Sequence, residues 1–210
     1  MNDAGYGVMS RIPLSGRTVL EIGPGQISHM ERWRSTSARY VLADVDQSML
    51  DRSSRALATR GVPHEAALLT RGNRGALPVP DATFDLVVSF YALEHLYPLE
   101  PYVDSMLRVL RPGGLLAGAI PAEGGLGWGL GRYLTTRRWF LRNTGINPDK
   151  LICWEHPNFA DHILRTLDER MDRRYIRFWP LGIPSIDLNL VITFIYSKRH
   201  GPPGRDAGEG

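Results

Sequence analysis

The sequence predicts an α/β protein: one open, mainly parallel β-sheet with helices on both faces. Three observations lead there. Short apolar runs of strand length alternate with amphipathic stretches of helical period. The first run, Arg17-Thr18-Val19-Leu20-Glu21-Ile22, stops at the glycine turn Gly23-Pro24-Gly25. The last two runs, Tyr175 to Trp179 and Leu190 to Tyr196, flank the link Gly182-Ile183-Pro184-Ser185-Ile186, which lets them pair antiparallel.

The elements between follow in order. Ile27 to Arg34 reads as a helix after the glycine turn. Tyr40-Val41-Leu42-Ala43 is the second strand, closed by Asp44. Ser48 to Arg60 is helical, with Met49, Leu50 and Leu57 on one face. His64 to Thr70 is the third strand and Phe84 to Ser89 the fourth. Tyr102 to Leu110 places Val103, Met106, Leu107 and Leu110 at helical spacing, and Pro112-Gly113-Gly114 stops it. Leu115 to Ile120 is a buried fifth strand. From Pro121 to about Pro157 the pattern breaks. Glycines at 124, 125, 127, 129 and 131 precede Arg132, Arg137, Arg138 and Arg142, which stand among Trp128, Tyr133, Trp139 and Phe140. This stretch predicts an inserted cap segment after strand five.

Size and composition bound the possibilities. The chain has 210 residues and a mass of 23.5 kDa. That suits one domain, residues 1–200, with a Gly/Pro-rich tail over 201–210 expected to be disordered. One cysteine, Cys153, forbids an intrachain disulfide and fits a reducing cytosol. No run of about 18 apolar residues is present, and the N-terminus lacks the order of a signal peptide. A cytoplasmic location is therefore expected. The net charge is +3, carried almost wholly by dispersed arginines, which argues against a nucleic-acid partner. Plentiful Arg, Ala, Gly and Pro suggest a GC-rich bacterial genome.

The chemistry points to the first turn. Glycines after a strand let the backbone approach a ligand closely, since no Cβ intervenes. In open α/β sheets ligands sit outside the carboxyl ends of the strands. Asp44 ends the second strand, at about the spacing from Gly23 that suits an acidic residue accepting both hydroxyls of a ribose. A nicotinamide dinucleotide site would need a third glycine where Ser28 stands. No Gly-x-x-x-x-Gly-Lys loop and no Gly-x-Ser-x-Gly elbow occur. Cys153, His156 and His162 match no zinc spacing, so no metal is expected.

Several further stretches stand in consistent order. They are Val19 to Gly25, Asp44 with Met49-Leu50, Gly72-Asn73-Arg74-Gly75-Ala76-Leu77-Pro78, and Pro80 to Ser89. Leu93-Glu94-His95-Leu96 and Leu107-Arg108-Val109-Leu110-Arg111-Pro112-Gly113-Gly114 follow. With them the chain resembles the class I S-adenosylmethionine-dependent methyltransferases, in their small-molecule branch, from about residue 17 to 120. The resemblance implies a Rossmann-like seven-stranded sheet whose last strand is antiparallel, and S-adenosyl-L-methionine as cofactor. It implies that Glu21, Gly23 and Gly25 shape the methionine end, that Asp44 holds the ribose, and that Asn73 and Arg74 meet the adenine. Ser89 would lie beside the cofactor's amino-acid moiety. Asn73 departs from the family's usual aspartate, and Ile27 from its frequent third glycine.

The expected activity is methyl transfer to oxygen or nitrogen of a small acceptor, a specialised metabolite or sugar-like molecule. The same pocket could run aminocarboxypropyl transfer or cyclisation, or the chain could be a cofactor-binding partner protein without activity of its own. His95, just after strand four, is the first candidate base; the bland alternative is that Glu94 and His95 open a helix. Tyr91 either shapes the pocket or packs in the core. Trp154-Glu155-His156 is either a second acid–base cluster on the pocket wall or a polar helix start. The Arg132–Arg142 stretch has three readings. It is a solvated helix over the sheet, a lid whose Arg137 and Arg138 recruit an anionic acceptor, or a membrane-surface helix over 128–142.

Overall fold

The structure is a computed structural model that describes residues 2–70, 75–127, 129 and 157–199. Its centre is a seven-stranded sheet in the order β3-β2-β1-β4-β5-β7-β6. The strands are β1 (Thr18–Ile22), β2 (Arg39–Asp44), β3 (His64–Leu68), β4 (Phe84–Phe90), β5 (Leu110–Pro121), β6 (Met171–Trp179) and β7 (Val191–Lys198). β1 to β5 pair in parallel. β7 runs antiparallel to both of its neighbours, β5 and β6. The expected sheet, with its last strand reversed, is what the chain forms.

The central strands are buried on both faces, which is why they read as continuous apolar runs rather than alternations. One cluster packs Leu20, Val87 and Phe194 under α3 (Leu99–Val109) and α4 (Ala160–Arg170). The other packs Val19, Leu42 and Val88 under α2 (Gln47–Thr59) and the N-terminal segment. Asp46 caps α2, its side chain accepting from Ser48 N at 2.8 Å. That bond satisfies one of the helix-end donors.

Three local expectations are corrected. Ile27 to Arg34 does not form an α-helix: only a short 3-10 turn, Ser28–Arg32, follows the glycine loop. Ile27 ahead of it is left-handed (φ 48°, ψ 38°) and buried. That conformation breaks helical continuity at its start. Strand five begins at Leu110 and runs through Pro112-Gly113-Gly114, the register against β4 shifting between Phe84 and Leu86. Those glycines form an irregularity inside a strand instead of a gap before it. β6 likewise starts at Met171, ahead of its expected beginning at Tyr175.

Two helices lie where the sequence reading places none. α1 (Asn2–Tyr6) packs on β5 and β7. α4 buries Ala160, Ile163, Leu164 and Leu167, a clear i, i+3, i+4, i+7 stripe that the sequence carries openly. The tail 201–210 and most of the expected cap, 130–156, lie outside the described residues.

The left-handed Ile27 occupies the position where the family often has glycine. A β-branched residue in that region is strained by about 1–2 kcal/mol, yet its buried side chain contributes about 2–5 kcal/mol. Burial therefore wins, and Ile27→Gly should lower stability by about 1–3 kcal/mol in a urea titration. An unchanged or higher midpoint would show that backbone strain outweighs packing there.

Candidate cofactor site

At the carboxyl ends of β1 and β4 lies a cavity of about 410 Å³. Its wall includes Glu21, Gly23, Gly25 and Tyr91, and also Tyr6, His29 and Phe90. The glycine loop forms it because Gly23 and Gly25 both take positive φ, 67° and 55°. At Gly23 the need is also steric: a Cβ there would lie 2.7 Å from the Ala92 methyl. Only glycine gives both the backbone angle and the room.

Glu21 lies near the end of β1 with its side chain fully buried. One carboxylate oxygen, Oε1, lies 2.8 Å from His29 Nε2; the other, Oε2, accepts from the Tyr40 hydroxyl at 2.6 Å. The Trp33 indole N–H in turn donates to His29 Nδ1 at 3.0 Å. Burial, reinforced by the adjacent Glu21 charge, pushes the Tyr40 phenol far up, so it remains a donor. The sequence reading takes Tyr40 only as a strand residue, and His29 and Trp33 only as helix residues. For Tyr40 the available signal is a hydroxyl inside a short apolar strand; His29 and Trp33 stand in a mixed polar stretch that carries none.

α1 roofs the cavity. Tyr6 meets Phe90 edge-on at 5.2 Å between centroids, and Tyr91 at 6.1 Å. Edge-on contact sets the positive rim of one ring against the negative face of the other. Close approach of α1 needs Gly5, where a Cβ would stand 2.5 Å from the Tyr91 hydroxyl and 2.6 Å from Ala119 Cβ. Burial first, and then neighbouring Tyr6, raises the Tyr91 phenol well above its ordinary range.

The remaining candidates fall in different places. Asp44 is half-buried at the end of β2, and its Oδ1 accepts from Asp46 N at 2.9 Å, which orients the carboxylate. Ser89 is fully buried inside β4, one residue short of the cavity wall, and its hydroxyl finds no partner among the described residues. His95 is exposed in a 3-10 turn, Leu93–His95, outside the cavity lining. Asn158 braces that turn by donating to Leu93 O at 3.0 Å and Leu96 O at 2.6 Å. Glu94, beside His95, is the buried member of the pair. Asn73, Arg74, Arg137, Arg138, Trp154, Glu155 and His156 lie outside the described residues. Among the described residues no cluster of three metal-ligating side chains occurs, and no helix is long and apolar enough to cross a membrane.

These features fit S-adenosylmethionine. The two glycines on either side of Pro24 admit a ligand against the backbone, and a buried carboxylate suits its amino-acid end. Asp44 stands at the end of the neighbouring strand, where a ribose needs an acceptor. Residues 20–118 match a family described as a methyltransferase domain. A Mycolicibacterium smegmatis protein named "Probable S-adenosylmethionine-dependent methyltransferase" is 32% identical over 107 residues, 51% of this chain and 39% of that one. A ubiquinone/menaquinone biosynthesis C-methyltransferase of an Enterobacter species is 36% identical over 104 residues, 48% of this chain and 41% of that one. The match thus spans about two fifths of the length of these curated relatives. In fold, the chain is similar to the [4+2]-cyclase SpnF, with TM-score 0.66 at 15% identity, over 95% of this chain and 81% of that one. Over residues 20–118, just under half of its length, the chain is thus similar to S-adenosylmethionine-dependent methyltransferases, whose cofactor is S-adenosylmethionine.

Proposed function

We propose that this chain methylates a small-molecule acceptor, on oxygen or nitrogen, with a specialised metabolite or sugar-like compound as the acceptor class. The observation that carries this reading is the cavity at the ends of β1 and β4, floored by the glycine loop and roofed by α1. In it, Glu21, Gly23 and Gly25 hold the methionine end; Asp44, outside the cavity lining at the end of the neighbouring strand β2, is assigned to the ribose, and Asn73 and Arg74 to the adenine. When bound, S-adenosylmethionine supplies a methyl group already activated on a sulfonium. The protein's share is alignment, which can contribute about 7–11 kcal/mol, and removal of the acceptor's proton.

Tyr6, Phe90 and Tyr91 exclude water from one side of the transfer path and present ring faces to a cation. His95 is the proposed base, reached by an acceptor entering past the turn after β4. Ser89 is assigned a place beside the cofactor's amino-acid moiety. Trp154, Glu155, His156, Arg137 and Arg138 are assigned to the acceptor side, the two arginines suiting an anionic acceptor. No nucleic acid is required by this reading, and the cytoplasm is its proposed setting.

Carbon is the second reading for the receiving atom, because the Enterobacter relative is named a C-methyltransferase. Cyclisation stands behind it, from the cyclase with the similar fold. Release of S-adenosylhomocysteine from panels of hydroxyl, amine and carbon acceptors decides among them. Turnover with hydroxyl or amine acceptors is the expected result; release with carbon acceptors alone would move the reading to carbon. His95→Ala should lower turnover about 100-fold while leaving calorimetric cofactor affinity unchanged, as for loss of a general base. Undiminished turnover would remove His95 from that role.

A further inference from the structure

We infer that His29, Trp33 and Tyr40 are positioning residues that present the Glu21 carboxylate as an unneutralised negative charge for the α-ammonium group of the cofactor. The inference rests on the cavity being the S-adenosylmethionine site. It goes beyond that reading by naming what selects the ligand's amino-acid end, and by assigning three residues outside the glycine loop.

The four side chains form a closed ring. Glu21 comes from β1, Tyr40 from β2, and His29 and Trp33 from the turn after the glycine loop, spaced four apart. Three links of the ring are hydrogen bonds: Trp33 to His29, His29 to Glu21, and Tyr40 to Glu21. The fourth is a stack of Trp33 on Tyr40, 5.2 Å between centroids and 25° between planes. Phe90 packs on the His29 ring at 4.8 Å, so the imidazole is held from the cavity side as well.

The ring dictates a tautomer. An indole N–H can only donate, so His29 Nδ1 must accept from it. The imidazole then carries its single proton on Nε2 and gives it to Glu21 Oε1. The close His29–Glu21 contact therefore has the geometry of an ion pair but joins a neutral imidazole to a carboxylate. Tyr40, the other donor to Glu21, is neutral too. Among the described residues the cavity wall contains no lysine or arginine. The other ionisable side chains on that wall are phenols: Tyr6, with its ring 5.9 Å from that of His29, and Tyr91 beyond it.

A buried carboxylate held by neutral donors alone carries an unrepaid desolvation cost. An entering ammonium offsets that cost with a charge-assisted hydrogen bond, and each carboxylate oxygen keeps a lone pair for it. Because both oxygens are already tethered, the carboxylate cannot turn away. An amino-acid end with its ammonium is therefore favoured over the same end without it.

The test uses calorimetry with two probes, S-adenosylhomocysteine and its analogue lacking the α-amino group, together with ¹⁵N NMR of the His29 ring. Wild type should bind S-adenosylhomocysteine about ten-fold or more tightly than the deaminated analogue. His29→Ala should lose about ten-fold for the first probe and almost nothing for the second, and His29→Gln, which restores an N–H toward Glu21, should recover most of the loss. The ring should show a protonated Nε2 and a bare Nδ1, and Trp33→Phe, which keeps the stack but removes the donor, should populate Nδ1–H. Equal losses for both probes, or a wild-type ring protonated at Nδ1, would overturn the inference while leaving the cofactor site intact. If wild type binds neither probe, the cofactor reading itself falls, and this inference with it.

Discussion

Asp44→Ala is expected to weaken S-adenosylhomocysteine binding by about 10–150-fold. That range corresponds to about 1.5–3 kcal/mol, the usual loss when a hydrogen bond to a charged group disappears. The carboxylate is half-buried at the carboxyl end of β2, where the parallel register with β1 aligns it beside the glycine loop. Its Oδ1 already accepts from Asp46 N, so its rotamer is fixed before any ligand arrives. Pre-fixing removes an entropy cost from binding, which places the effect toward the upper end of the range. Asp44→Asn keeps the acceptor for Asp46 N, so it should fall between wild type and Asp44→Ala. Calorimetry measures both; affinity unchanged in the alanine variant would remove the ribose assignment. If Asn and Ala lose equally, the charge rather than the local turn is what the ribose requires.

Gly118→Ala is expected to lower stability by about 3 kcal/mol, seen as a melting temperature about 6–12 °C lower. Gly118 sits in β5, directly paired with Ser89 of β4 and Phe194 of β7. A Cβ there would stand 1.9 Å from the Ser89 carbonyl oxygen and 3.2 Å from the Phe194 ring. Both neighbours are buried, and the first is backbone, so neither can swing aside. The two strands would have to part at the position that carries β4 to Phe90 and Tyr91 in the cavity. Gly7→Ala serves as the control, because a Cβ there meets nothing within 4 Å among the described residues. It should change stability by less than about 0.5 kcal/mol. A melting curve for Gly118→Ala that overlays this control would mean that β4 and β5 adjust to one another more freely than their close packing implies.

The identity of the central strands was readable because both sheet faces are covered there. Leu20, Val41, Val87 and Leu116 had to be apolar wherever the helices lay, so the runs announced themselves. The glycine loop and Asp44 were readable for a local reason: a tight turn and a strand-end carboxylate need particular residues at a short, countable spacing. The α4 stripe is equally local, with apolar residues at helical period from Ala160 to Leu167.

Other features depend on partners distant in sequence. The Ile27–Arg34 stretch has a helical pattern, yet Ile27 turns left-handed and His29 turns inward. The inward turn coincides with a buried carboxylate, Glu21, that takes a proton donor, a pairing invisible to any periodicity. Tyr40 looks like one more apolar strand residue until β2 lies beside β1 and its hydroxyl reaches Glu21. Gly5 and Tyr6 carry no motif, and only the return of the N-terminus across β5 makes them the cavity roof.

By itself the sequence determined the sheet, the antiparallel pairing of the last two strands, the ligand end of the strands and the candidate position for a ribose, because each follows from residue type at short range; the methionine end came from the resemblance alone. Only the tertiary structure decided how Glu21 is held and by which donors. Hydrogen-bond direction among Glu21, His29, Trp33 and Tyr40 depends on which groups the folded chain brings within about 3 Å of one another.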